Sequence, residues 1–378
     1  MLDVAGLGRQ IRKLRKERGL TQSQFAEGIC VSFQAVSNWE RGLVPPDLEN
    51  LIAIAAYFEV LVDDLLRPAR EDLYLGVDGG GTKTQFVVTD RHGQVFCSLM
   101  KQGCNPNDIG LEQTELLLEE GIREILLRFP TVQCAYLGIA GAGVGDYAQR
   151  LTRMLENRFP FLKITVQRDV CNLLAMEDGA QMAVISGTGS VVFLRDEDRQ
   201  IRLGGGGYFF DRAGSAFDIG RDAITAALDE EDQKLPESIL HRLLCDHLEV
   251  KTIWDAVDRL YAGGRREIAA LAAIVFDAMA QGDPAATDIV EASAKRLGQL
   301  LEIGIHRYGA APLAITGGGL FSHHFQAFSQ LIGKYTDCRL LSCALPPVYG
   351  ACRESYRLSG NEPPEDFYNN FVNSYKEG

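Results

Sequence analysis

The feature that most restricts the fold of this chain is a glycine-rich turn between two strand-like segments, which occurs twice. In "LYLGVDGGGTKTQFVVTD", residues 73–90, three glycines separate two runs rich in β-branched and aromatic residues. In "MAVISGTGSVVFLRDEDRQIRLGG" a Gly-Thr-Gly-Ser turn has the same position between two strands. A Walker loop or a dinucleotide-binding fingerprint requires a helix directly after the glycines, so neither motif fits these turns.

Both turns have the properties of a phosphate-binding loop. Because glycine has no Cβ atom, a phosphate can come close to the backbone N–H groups. In the first turn, Thr82 and Thr84 add hydroxyl groups to these donors. Asp78, at the end of the preceding strand, is placed to orient a hydrated Mg²⁺ ion.

A third glycine segment, "LAITGGGLFSHHF", runs from a strand into a helix. Each of the three segments alone is compatible with a purely structural turn. Together and in this order they resemble the two-lobed ATP-binding architecture of actin and hexokinase, an α/β fold of the ribonuclease H-like type. We therefore expect ATP and Mg²⁺ to bind the larger part of the chain.

The first seventy residues have a different pattern, which is purely helical. Residues 7–18 form an amphipathic helix that Gly19 ends. Thr21 is placed to cap a second helix, and Ser32 a third helix that stops at Gly42. Two short helices joined by a tight turn indicate a helix-turn-helix within a small all-α bundle.

This segment, "GLTQSQFAEGICVSFQAVSNWERG" followed by "PDLENLIAIAAYF", resembles the Cro/repressor (XRE) type of DNA-binding domain over its full length. The resemblance implies that the third helix enters the major groove of double-stranded operator DNA. It also implies that Gln22 and the basic cluster from Arg12 to Arg18 meet phosphates. An alternative is that the bundle docks onto protein. The implied base-reading residues are Ser32, Phe33, Gln34, Ser37 and Asn38.

Charge is distributed unevenly along the 378 residues, whose formal net charge is −13 at pH 7. Residues 1–70 contain nine of the 38 Lys and Arg residues and nine of the 51 Asp and Glu residues, so the excess acidity lies in the remainder. A neutral DNA-binding domain on an acidic body gains little non-specific attraction to DNA. We therefore expect a homodimer that binds two half-sites.

The second part of the chain, from Tyr74 to about Leu358, resembles the BadF/BadG type of ATPase and, within it, the N-acetylglucosamine kinases. The motifs that carry the resemblance fall in family order: "VDGGGTKT", "GCNPNDIG", "LGIAGAG", "RDVCNLLA", "ISGTGS", "GSAFDIGRDAI", "QGDPAA", "ITGGG" and "PVYGA". The resemblance implies α/β lobes that close over a sugar and ATP.

The same resemblance implies a role for individual residues. Asp169 matches the catalytic aspartate and a sugar ligand, although a helix N-cap without chemistry fits the same local pattern. Asn105 matches a ligand of the sugar hydroxyls, and Ser190 a further contact on the sugar side. Lys83 either assists at the phosphates or is only solvated. The implied ATP contacts are Gly80, Gly81, Thr82 and Lys83 in the first turn, Gly187, Thr188 and Gly189 in the second, and Gly317, Gly318 and Gly319 in the adenosine loop.

One motif departs from the family. Where the family usually has "GGWGxxxGDEGSGYxIG", this chain has "GGGGYFFDRAGSAFDIG", which places Gly206 at the tryptophan and Arg212 at the aspartate that holds the sugar. An arginine there suits an anionic ligand such as a sugar phosphate or sugar acid. Alternatively, Asp211 shifts by one place and binds the sugar instead.

Cysteine usage and hydropathy indicate the compartment. The nine cysteines are scattered singly without zinc-binding spacing, and Cys171, Cys343 and Cys352 lie outside the motif places of the iron–sulfur dehydratase activators of this wider family. The N-terminus does not resemble a signal peptide, and no apolar run is long enough to span a bilayer. We expect a cytoplasmic protein with no membrane partner.

These observations predict a multidomain chain. The predicted parts are a helix-turn-helix domain (1–66), a linker (67–72), a first kinase-like lobe (73–183), a second lobe (184–358) whose last helix is able to return to the first, and an extension (359–378). The predicted function is a sugar-responsive transcriptional regulator whose body is an ATP-dependent amino-sugar kinase. The alternatives are a kinase-like body that only binds a ligand, and a kinase that uses the helix-turn-helix only for assembly.

Overall fold

The computed structural model describes residues 4–66, 72–196, 199–211, 214–342 and 344–376. The chain divides into two compact units, one comprising Met1–Leu73 with Leu126–Val132 and the other Tyr74–Ile125 with Gln133–Gly378. The predicted linker falls largely on residues 67–71, which lie outside the described residues. Within the described ranges, no helix combines the length and the apolar character needed to cross a bilayer.

The first unit is a bundle of helices around one apolar core. The residues Leu7, Ile11, Phe25, Val36 and Ile54 are fully or almost fully buried in it. The helices are α1 (Val4–Glu17), α2 (Gln22–Gly28), α3 (Phe33–Glu40), α4 (Leu48–Phe58) and α5 (Val62–Leu66).

Local capping determines where the helices of the helix-turn-helix begin and end. Thr21 accepts a hydrogen bond from the backbone of Gln24 in a reciprocal capping box, and Ser32 accepts one from the backbone of Ala35. Gly19 and Gly42 follow α1 and α3 with φ values of 68° each, a conformation that favours glycine. The predicted caps and stops of this motif are confirmed.

A buried ion pair holds α1 against α3. Arg15 Nη2 donates to Glu40 Oε2 at 2.9 Å, and Gln22 Nε2 donates to the same oxygen at 2.7 Å. Arg15 also donates to the carbonyl of Leu20. The expectation that the whole basic cluster meets phosphates is therefore wrong for Arg15, which is buried and already paired.

We expect Glu40→Gln to lower the free energy of unfolding of the first unit by about 2 kcal/mol, because it removes the charge that offsets the buried Arg15 guanidinium. The measurement is urea denaturation followed by Trp39 fluorescence in a Trp254→Phe background, where Trp39 is the remaining tryptophan. Glu49→Gln, at an exposed position of α4, is the matched control. Equal stability of the two variants would contradict a structural role for this pair.

The second unit contains two five-stranded sheets. The first has the order β3-β2-β1-β4-β5, in which β1, β2 and β3 form an antiparallel meander and β4 is parallel to β5. The second has the order β10-β9-β6-β7-β8, in which β6, β7 and β8 form the meander and β9 is parallel to both β6 and β10. This repetition confirms the two-lobed α/β fold that the glycine turns predict.

The strands and helices of the second unit have the following bounds. The strands are β1 (Leu73–Gly79), β2 (Lys83–Thr89), β3 (Val95–Gln102), β4 (Val132–Ile139), β5 (Lys163–Arg168), β6 (Met182–Ser186), β7 (Ser190–Asp196), β8 (Arg199–Leu203), β9 (Leu313–Gly317) and β10 (Arg339–Ser342). The helices are α6 (Pro106–Ile109), α7 (Leu111–Arg128), α8 (Tyr147–Arg158), α9 (Asp169–Leu174), α10 (Ala216–Gln233), α11 (Ile239–Leu248), α12 (Val257–Ala270), α13 (Ala272–Ala280), α14 (Pro284–Tyr308), α15 (Gly319–Ile332), α16 (Val348–Arg357) and α17 (Phe367–Ser374), with a 3₁₀ helix at Ile253–Ala256.

The last two helices pack on the first sheet. In α16, Ser355 Oγ donates to the carbonyl of Cys134 on β4 at 2.9 Å. A Cβ atom built on Gly76 of β1 would lie 2.5 Å from the backbone nitrogen of Cys352, so glycine permits this close approach. After α17, the Tyr375 hydroxyl accepts a hydrogen bond from Gln85 Nε2 at 2.6 Å. The described part of the C-terminal extension is thus packed on this lobe.

The cysteines of the described ranges form no disulfide, and all of them except Cys30 are buried. Burial raises the pKa of the Cys104 and Cys245 thiols to about 11. These thiols therefore stay protonated near neutral pH. Cys343 lies outside the described residues.

Candidate active site

The first glycine turn connects β1 to β2 at the end of the antiparallel pair. The backbone N–H of Gly80 donates to the carbonyl of Lys83 at 2.9 Å, and that of Cys104 donates to the carbonyl of Gly80 at 3.0 Å. Gly81, Thr82 and Lys83 are exposed, so their polar groups are accessible to a ligand. They occupy the tip of a turn whose shape is set by backbone hydrogen bonds.

Thr84 does not belong to this exposed set. Its side chain is fully buried, and its hydroxyl donates to the carbonyl of Gln102 on β3 at 2.7 Å. The expectation that the Thr84 hydroxyl meets a phosphate is therefore wrong. Thr82 precedes β2 at the exposed tip of the turn, whereas Thr84 lies within β2, which pairs with β1 and β3, so the two hydroxyls have different surroundings.

Asp78, at the end of β1, is held by a side chain from α9. Asn172 Nδ2 donates to Asp78 Oδ1 at 2.7 Å and to the carbonyl of Val77 at 3.2 Å. Burial raises the pKa of the Asp78 carboxyl to about 6, the Asn172 hydrogen bond opposes this rise, and the nearby charge of Asp169 adds to it. Among the described residues, the fully buried Asn172 has no hydrogen-bond partner for Oδ1.

Asp169 is the first residue of α9 and follows directly after β5. Arg168, not Asp169, occupies the N-cap position, so the interpretation of Asp169 as the N-cap is wrong. Asp169 Oδ1 accepts a hydrogen bond from the Val170 backbone at 2.9 Å. Asp169 is accessible to solvent, yet desolvation by the surrounding chain raises the pKa of its carboxyl, which this hydrogen bond and the charge of Arg168 partly oppose.

Asn105 lies on the other side of the first turn, at the start of α6. Its Oδ1 accepts from the Asn107 backbone at 3.0 Å, and its Nδ2 donates to Asp108 Oδ2 at 2.9 Å. Gly141, with a φ of 80°, packs against it, and a Cβ atom there would lie 2.1 Å from Asn105 Oδ1. A Cβ atom on Gly81 would lie 3.1 Å from Asp108 Oδ2, so Asp108 adjoins the turn as well.

Sequence reasoning missed Asp108, although it stands inside the quoted "GCNPNDIG" motif. Its carboxylate is exposed and adjacent to both Asn105 and the glycine turn. The signal that identifies it is the spacing of three residues from Asn105, since one short helical turn brings the two side chains together.

The second glycine turn connects β6 to β7. The backbone N–H of Gly187 donates to the carbonyl of Gly189 at 2.9 Å, and Ser186 Oγ donates to the carbonyl of Gly214 at 2.8 Å. Thr188 and Gly189 are exposed at its tip, whereas Ser190 is buried at the start of β7. The turn therefore offers the same exposed tip as the first.

The third glycine segment lies directly against the second. Gly318 has a φ of 91°, and a Cβ atom on it would lie 2.4 Å from the carbonyl oxygen of Ser186. A Cβ atom on Gly187 would lie 3.6 Å from the backbone nitrogen of Gly319, the first residue of α15. The two segments thus present adjacent stretches of backbone with no side chain between them.

Helix α9 connects these parts. Asn172 contacts Asp78 beside the first turn, and a Cβ atom on Gly317 would lie 2.9 Å from Leu173 Cδ2. Because Asp169 begins the same helix, one short element places an accessible carboxylate between the first sheet and the glycine segments of the second.

We expect Gly318→Ala to destabilise the second unit by about 2 kcal/mol or more, because alanine is strained at this φ and its methyl group would collide with the Ser186 carbonyl. Gly319→Ala is the matched control, since a Cβ atom there meets nothing within 4 Å and the backbone of Gly319 does not have a positive φ of the kind that favours glycine. Thermal unfolding of the two ligand-free variants measures the difference. Equal melting temperatures would show that the Gly318 conformation is not required.

A cavity of about 250 Å³ lies beside Thr188 and Ser190. Asp211 faces it, and its Oδ2 accepts a hydrogen bond from the Gly206 backbone at 3.1 Å. Two arginines that sequence reasoning missed, Arg202 and Arg265, also line it. The predicted sugar ligand Arg212 lies outside the described residues.

The two arginines place cationic groups in a cavity that the carboxylates of Asp211 and Asp218 also line. The Arg265 guanidinium lies 4.9 Å from the centre of the Tyr208 ring, a cation–π contact that holds it at the wall. Arg202 Nε donates to the Gly204 carbonyl at 3.1 Å. The sequence contained no signal for either residue, because they come from β8 and α12, more than sixty positions apart.

In the first unit, the exposed face of the helix-turn-helix is polar. Ser32, Phe33 and Gln34 are exposed at the start of α3, while Ser37 and Asn38 are half-buried one turn later. The Ser32 hydroxyl accepts the capping hydrogen bond, and half of the Phe33 surface is exposed. Gln22 is bonded through its amide nitrogen to Glu40.

Comparison with known proteins agrees with this division of the chain. Residues 75–336 match the BadF/BadG/BcrA/BcrD ATPase family, and residues 11–65 match a helix-turn-helix family. The chain is 32% identical over 296 residues to the N-acetylmuramic acid/N-acetylglucosamine kinase of Clostridium acetobutylicum, which covers 73% of this chain and 96% of that protein.

Two further comparisons concern the separate parts. Over 57 residues, 15% of this chain and 28% of the relative, the chain is 42% identical to the HTH-type transcriptional activator BcrR of Enterococcus faecalis. A solved structure of a proposed N-acetylglucosamine kinase from Chromobacterium violaceum matches with a TM-score of 0.53 at 18% identity, over 76% of this chain and 98% of that one. This last likeness shows the fold.

Proposed function

The chain belongs to the BadF/BadG/BcrA/BcrD ATPase family and carries a helix-turn-helix domain before its ATPase domain, and we propose that it is an ATP-dependent amino-sugar kinase that also regulates transcription in response to its sugar. The observation that carries the kinase proposal is the placement of two carboxylates, the partly buried Asp78 and the exposed Asp169, around α9 beside the exposed glycine turns. Phosphoryl transfer to a hydroxyl needs donors for the phosphates and a base for the acceptor.

Asp169 is proposed as the general base. A carboxylate at the start of α9 would accept the proton of the attacking sugar hydroxyl as the oxygen binds the γ-phosphorus of ATP and ADP leaves. The desolvation that raises the pKa of the Asp169 carboxyl makes it a stronger base than a fully solvated aspartate. Asn105, Ser190, Asp211 and Arg212 are proposed to bind the sugar together with Asp169, with Asp108 as an added candidate.

The glycine turns fit ATP. Gly80, Gly81, Thr82 and Lys83 of the first turn, and Gly187, Thr188 and Gly189 of the second, are proposed to bind the phosphates through backbone N–H and hydroxyl groups. Gly317, Gly318 and Gly319 are proposed to bind the adenosine. The support is that both turn tips are exposed, and that the backbone of Gly187 and Gly319 is adjacent with open space beside Gly319, where a Cβ atom would meet nothing within 4 Å.

Asp78 fits a Mg²⁺ site. Desolvation raises the pKa of its carboxyl to about 6, although the nearby charge of Lys83 opposes the rise. A divalent cation beside the carboxylate would therefore stabilise its charged form. When bound, Mg²⁺ neutralises charge on the phosphates of ATP. Asn172 keeps the Asp78 carboxylate in position.

The substrate class that we propose is an N-acetylated amino sugar. The support is the Clostridium relative, which acts on N-acetylmuramic acid and N-acetylglucosamine as its name states and whose length the match covers almost entirely. Arg202 and Arg265 beside Ser190 and Asp211 favour a sugar that bears an anionic group.

The test is ADP release by the purified chain with Mg²⁺ and ATP, across neutral amino sugars, sugar acids and sugar phosphates, with the product identified by mass spectrometry. We expect one class of amino sugar to be phosphorylated. ATP binding without sugar-dependent ADP release would contradict the kinase and leave a kinase-like body that only senses its ligand.

The helix-turn-helix is proposed to bind double-stranded DNA as a homodimer on two half-sites. The support is the match of residues 11–65 and the exposed polar start of α3. We propose that Ser32, Phe33, Gln34, Ser37 and Asn38 read base edges, and that Gln22 lies at the backbone. The proposed domain boundaries are 1–66, 73–183, 184–358 and 359–378, with residues 67–72 as the linker.

We expect Gln34→Ala to weaken binding to the preferred duplex by about 1–3 kcal/mol, because an exposed glutamine at the start of the recognition helix pairs with adenine through two hydrogen bonds. The duplex is the one that the wild-type chain enriches from a random library. Gln113→Ala, at an exposed position of α7, is the control. Unchanged affinity and sequence preference in Gln34→Ala would contradict the assignment of this helix.

A further inference from the structure

Three side chains with metal-binding atoms converge at the far end of α10, away from its start at Ser215 beside the cavity. Glu231 Oε1 lies 2.7 Å from His241 Nε2, and Cys245 Sγ lies 3.9 Å from the same nitrogen. The three ligand atoms all lie within 4.8 Å of one another. None of the motifs of the kinase or of the helix-turn-helix includes these residues.

The local sequence produces this convergence. Ser238 caps α11, and His241 and Cys245, four positions apart, therefore lie on one face of that helix. Glu231 is in the last turn of α10 and faces them. The backbone N–H of Ile253, the first residue of the 3₁₀ helix, donates to Glu231 Oε1 at 2.6 Å and fixes that carboxylate.

The cluster has an excess of negative charge and an unsatisfied oxygen. In the part of the chain that the structure describes, Glu231 Oε2 is inaccessible to solvent and has no hydrogen-bond partner. Burial first, and then the charges of Glu231, Glu237, Asp246 and Asp255, raise the pKa of the Cys245 thiol to about 11. A cation placed among these atoms would satisfy the oxygen and favour the thiolate.

We propose that Glu231, His241 and Cys245 bind one Zn²⁺ ion, with water in the fourth position. Thiolate and imidazole ligands select zinc over magnesium or calcium, which prefer oxygen ligands alone. Tetrahedral coordination places neighbouring ligand atoms about 3.3–3.7 Å apart, and the 2.7 and 3.9 Å separations lie on either side of that range. The Cys245 sulfur also lies 3.9 Å from His241 Nδ1, so side-chain rotation must bring it toward the Nε2 side of the ring.

The surroundings provide access and orientation. A cavity of about 510 Å³, lined in part by Glu237, His241 and Trp254, opens beside the cluster and admits water and the ion. Glu237 Oε1 lies 3.6 Å from His241 Nδ1, so this carboxylate is placed to accept a hydrogen bond from Nδ1–H while Nε2 binds the ion. Binding releases the Cys245 thiol proton to solvent and requires neutral His241.

Such an ion would be structural. It would join the end of α10 to α11 and, through the Ile253 hydrogen bond, to the 3₁₀ helix. The kinase proposal does not depend on it, since the cluster and the proposed catalytic carboxylates share no residue. A separate experiment therefore decides it.

The experiment uses the full-length chain, freed of metal with a chelator, loaded with Zn²⁺ and dialysed. We expect elemental analysis to find about one zinc ion per chain, and Cd²⁺ loading to produce a sulfur-to-cadmium charge-transfer band in the ultraviolet. Cys245→Ser should lose both signals, whereas Cys338→Ser, at another buried cysteine, should keep them. Glu237→Gln should bind zinc about 10–100-fold more weakly.

Two results would overturn the proposal. The first is wild-type chain that retains no zinc and shows no cadmium band, which would leave a Glu231–His241 ion pair without a metal. The second is equal zinc in wild type and Cys245→Ser, which would place the ion elsewhere. The cadmium band of the wild type requires no variant, so a variant that fails to fold does not obscure the outcome.

Discussion

Asp169→Asn is expected to lower kcat for sugar phosphorylation by about 10²–10⁴-fold, because asparagine cannot accept the proton of the attacking hydroxyl. Asparagine has the same size and keeps an oxygen for the Val170 backbone hydrogen bond, so the fold and the affinity for ATP should change little. The measurement is kcat and KM for the sugar, together with the dissociation constant for ATP. A large loss of kcat with unchanged ATP affinity is the signature of a lost base.

The pH dependence provides a second sign of the same role. Desolvation raises the pKa of the Asp169 carboxyl, so as the pH falls the basic form is lost at a higher pH than for a fully solvated aspartate. In the pH–rate profile, we expect the residual activity of Asp169→Asn to lack the fall at acidic pH that protonation of Asp169 causes in the wild type.

Asp146→Asn is the matched control for both measurements, since Asp146 is exposed before α8 and makes no side-chain capping hydrogen bond. Full activity in Asp169→Asn would remove the proposed base. An equal loss in the Asp146 control would point to a general effect of the substitution.

Asp78→Asn is expected to have opposite effects on activity and on stability. Loss of the carboxylate should lower Mg²⁺-dependent turnover at least about a hundredfold, because the proposed ion loses its anionic partner. The free energy of unfolding of the ligand-free second unit should rise by up to about 3 kcal/mol near pH 8, because a buried charge is removed while the Asn172 hydrogen bond can be kept.

The sign follows from the folded-state pKa of Asp78, which is raised from 3.8 to about 6. The folded state then binds the proton more tightly than the unfolded state, so the ionised carboxylate destabilises the fold above about pH 6. This penalty shrinks as the pH falls through that value and is absent below the unfolded-state pKa. The stabilisation by Asp78→Asn should therefore be large at pH 8 and vanish near pH 3.5.

Thermal unfolding of wild type and Asp78→Asn at several pH values, without nucleotide or Mg²⁺, measures the stability effect, and ADP release measures the activity. A variant that is less stable than wild type at pH 8 would show that Asp78 contributes to the fold rather than to a ligand site. Retention of wild-type turnover would remove Asp78 from the proposed metal site.

Local physical chemistry explains why part of this protein could be predicted from its sequence. The caps at Thr21 and Ser32 involve residues three positions apart, so the helix boundaries of the helix-turn-helix follow from short-range rules. The glycine turns are equally local, because strand, turn and strand are contiguous in each meander. The family resemblance then ordered these pieces into two lobes, and the two sheets confirm that order.

The errors arise from contacts between distant positions. Arg15 stands in a basic segment of the kind that contacts phosphates, but its guanidinium pairs with Glu40, 25 residues away. The sequence around Arg15 does not reveal this partner. Thr84 was grouped with Thr82, yet its hydroxyl is used by Gln102 on the neighbouring strand. In the same way, the contact between Asn172 and Asp78 joins residues 94 positions apart.

The cavity beside Ser190 shows the same limit. Its arginines come from two distant places: Arg202 lies in the quoted segment of the second glycine turn and Arg265 lies on α12, so the sequence does not show that they share one cavity. The sequence predicts an anion-binding charge at Arg212 only because this residue replaces the aspartate that the family usually has in that motif. The described residues offer two further arginines for that purpose, so a preference for an anionic sugar has support that does not depend on Arg212.

The central claim is that one chain both phosphorylates a sugar and changes its binding to DNA in response. The measurement that tests it most directly is the dissociation constant of the full-length chain for its enriched duplex, with and without saturating sugar and a non-hydrolysable ATP analogue. The account predicts a shift of about 5–150-fold, the usual range of coupling between two sites. An identical dissociation constant in both conditions would contradict it.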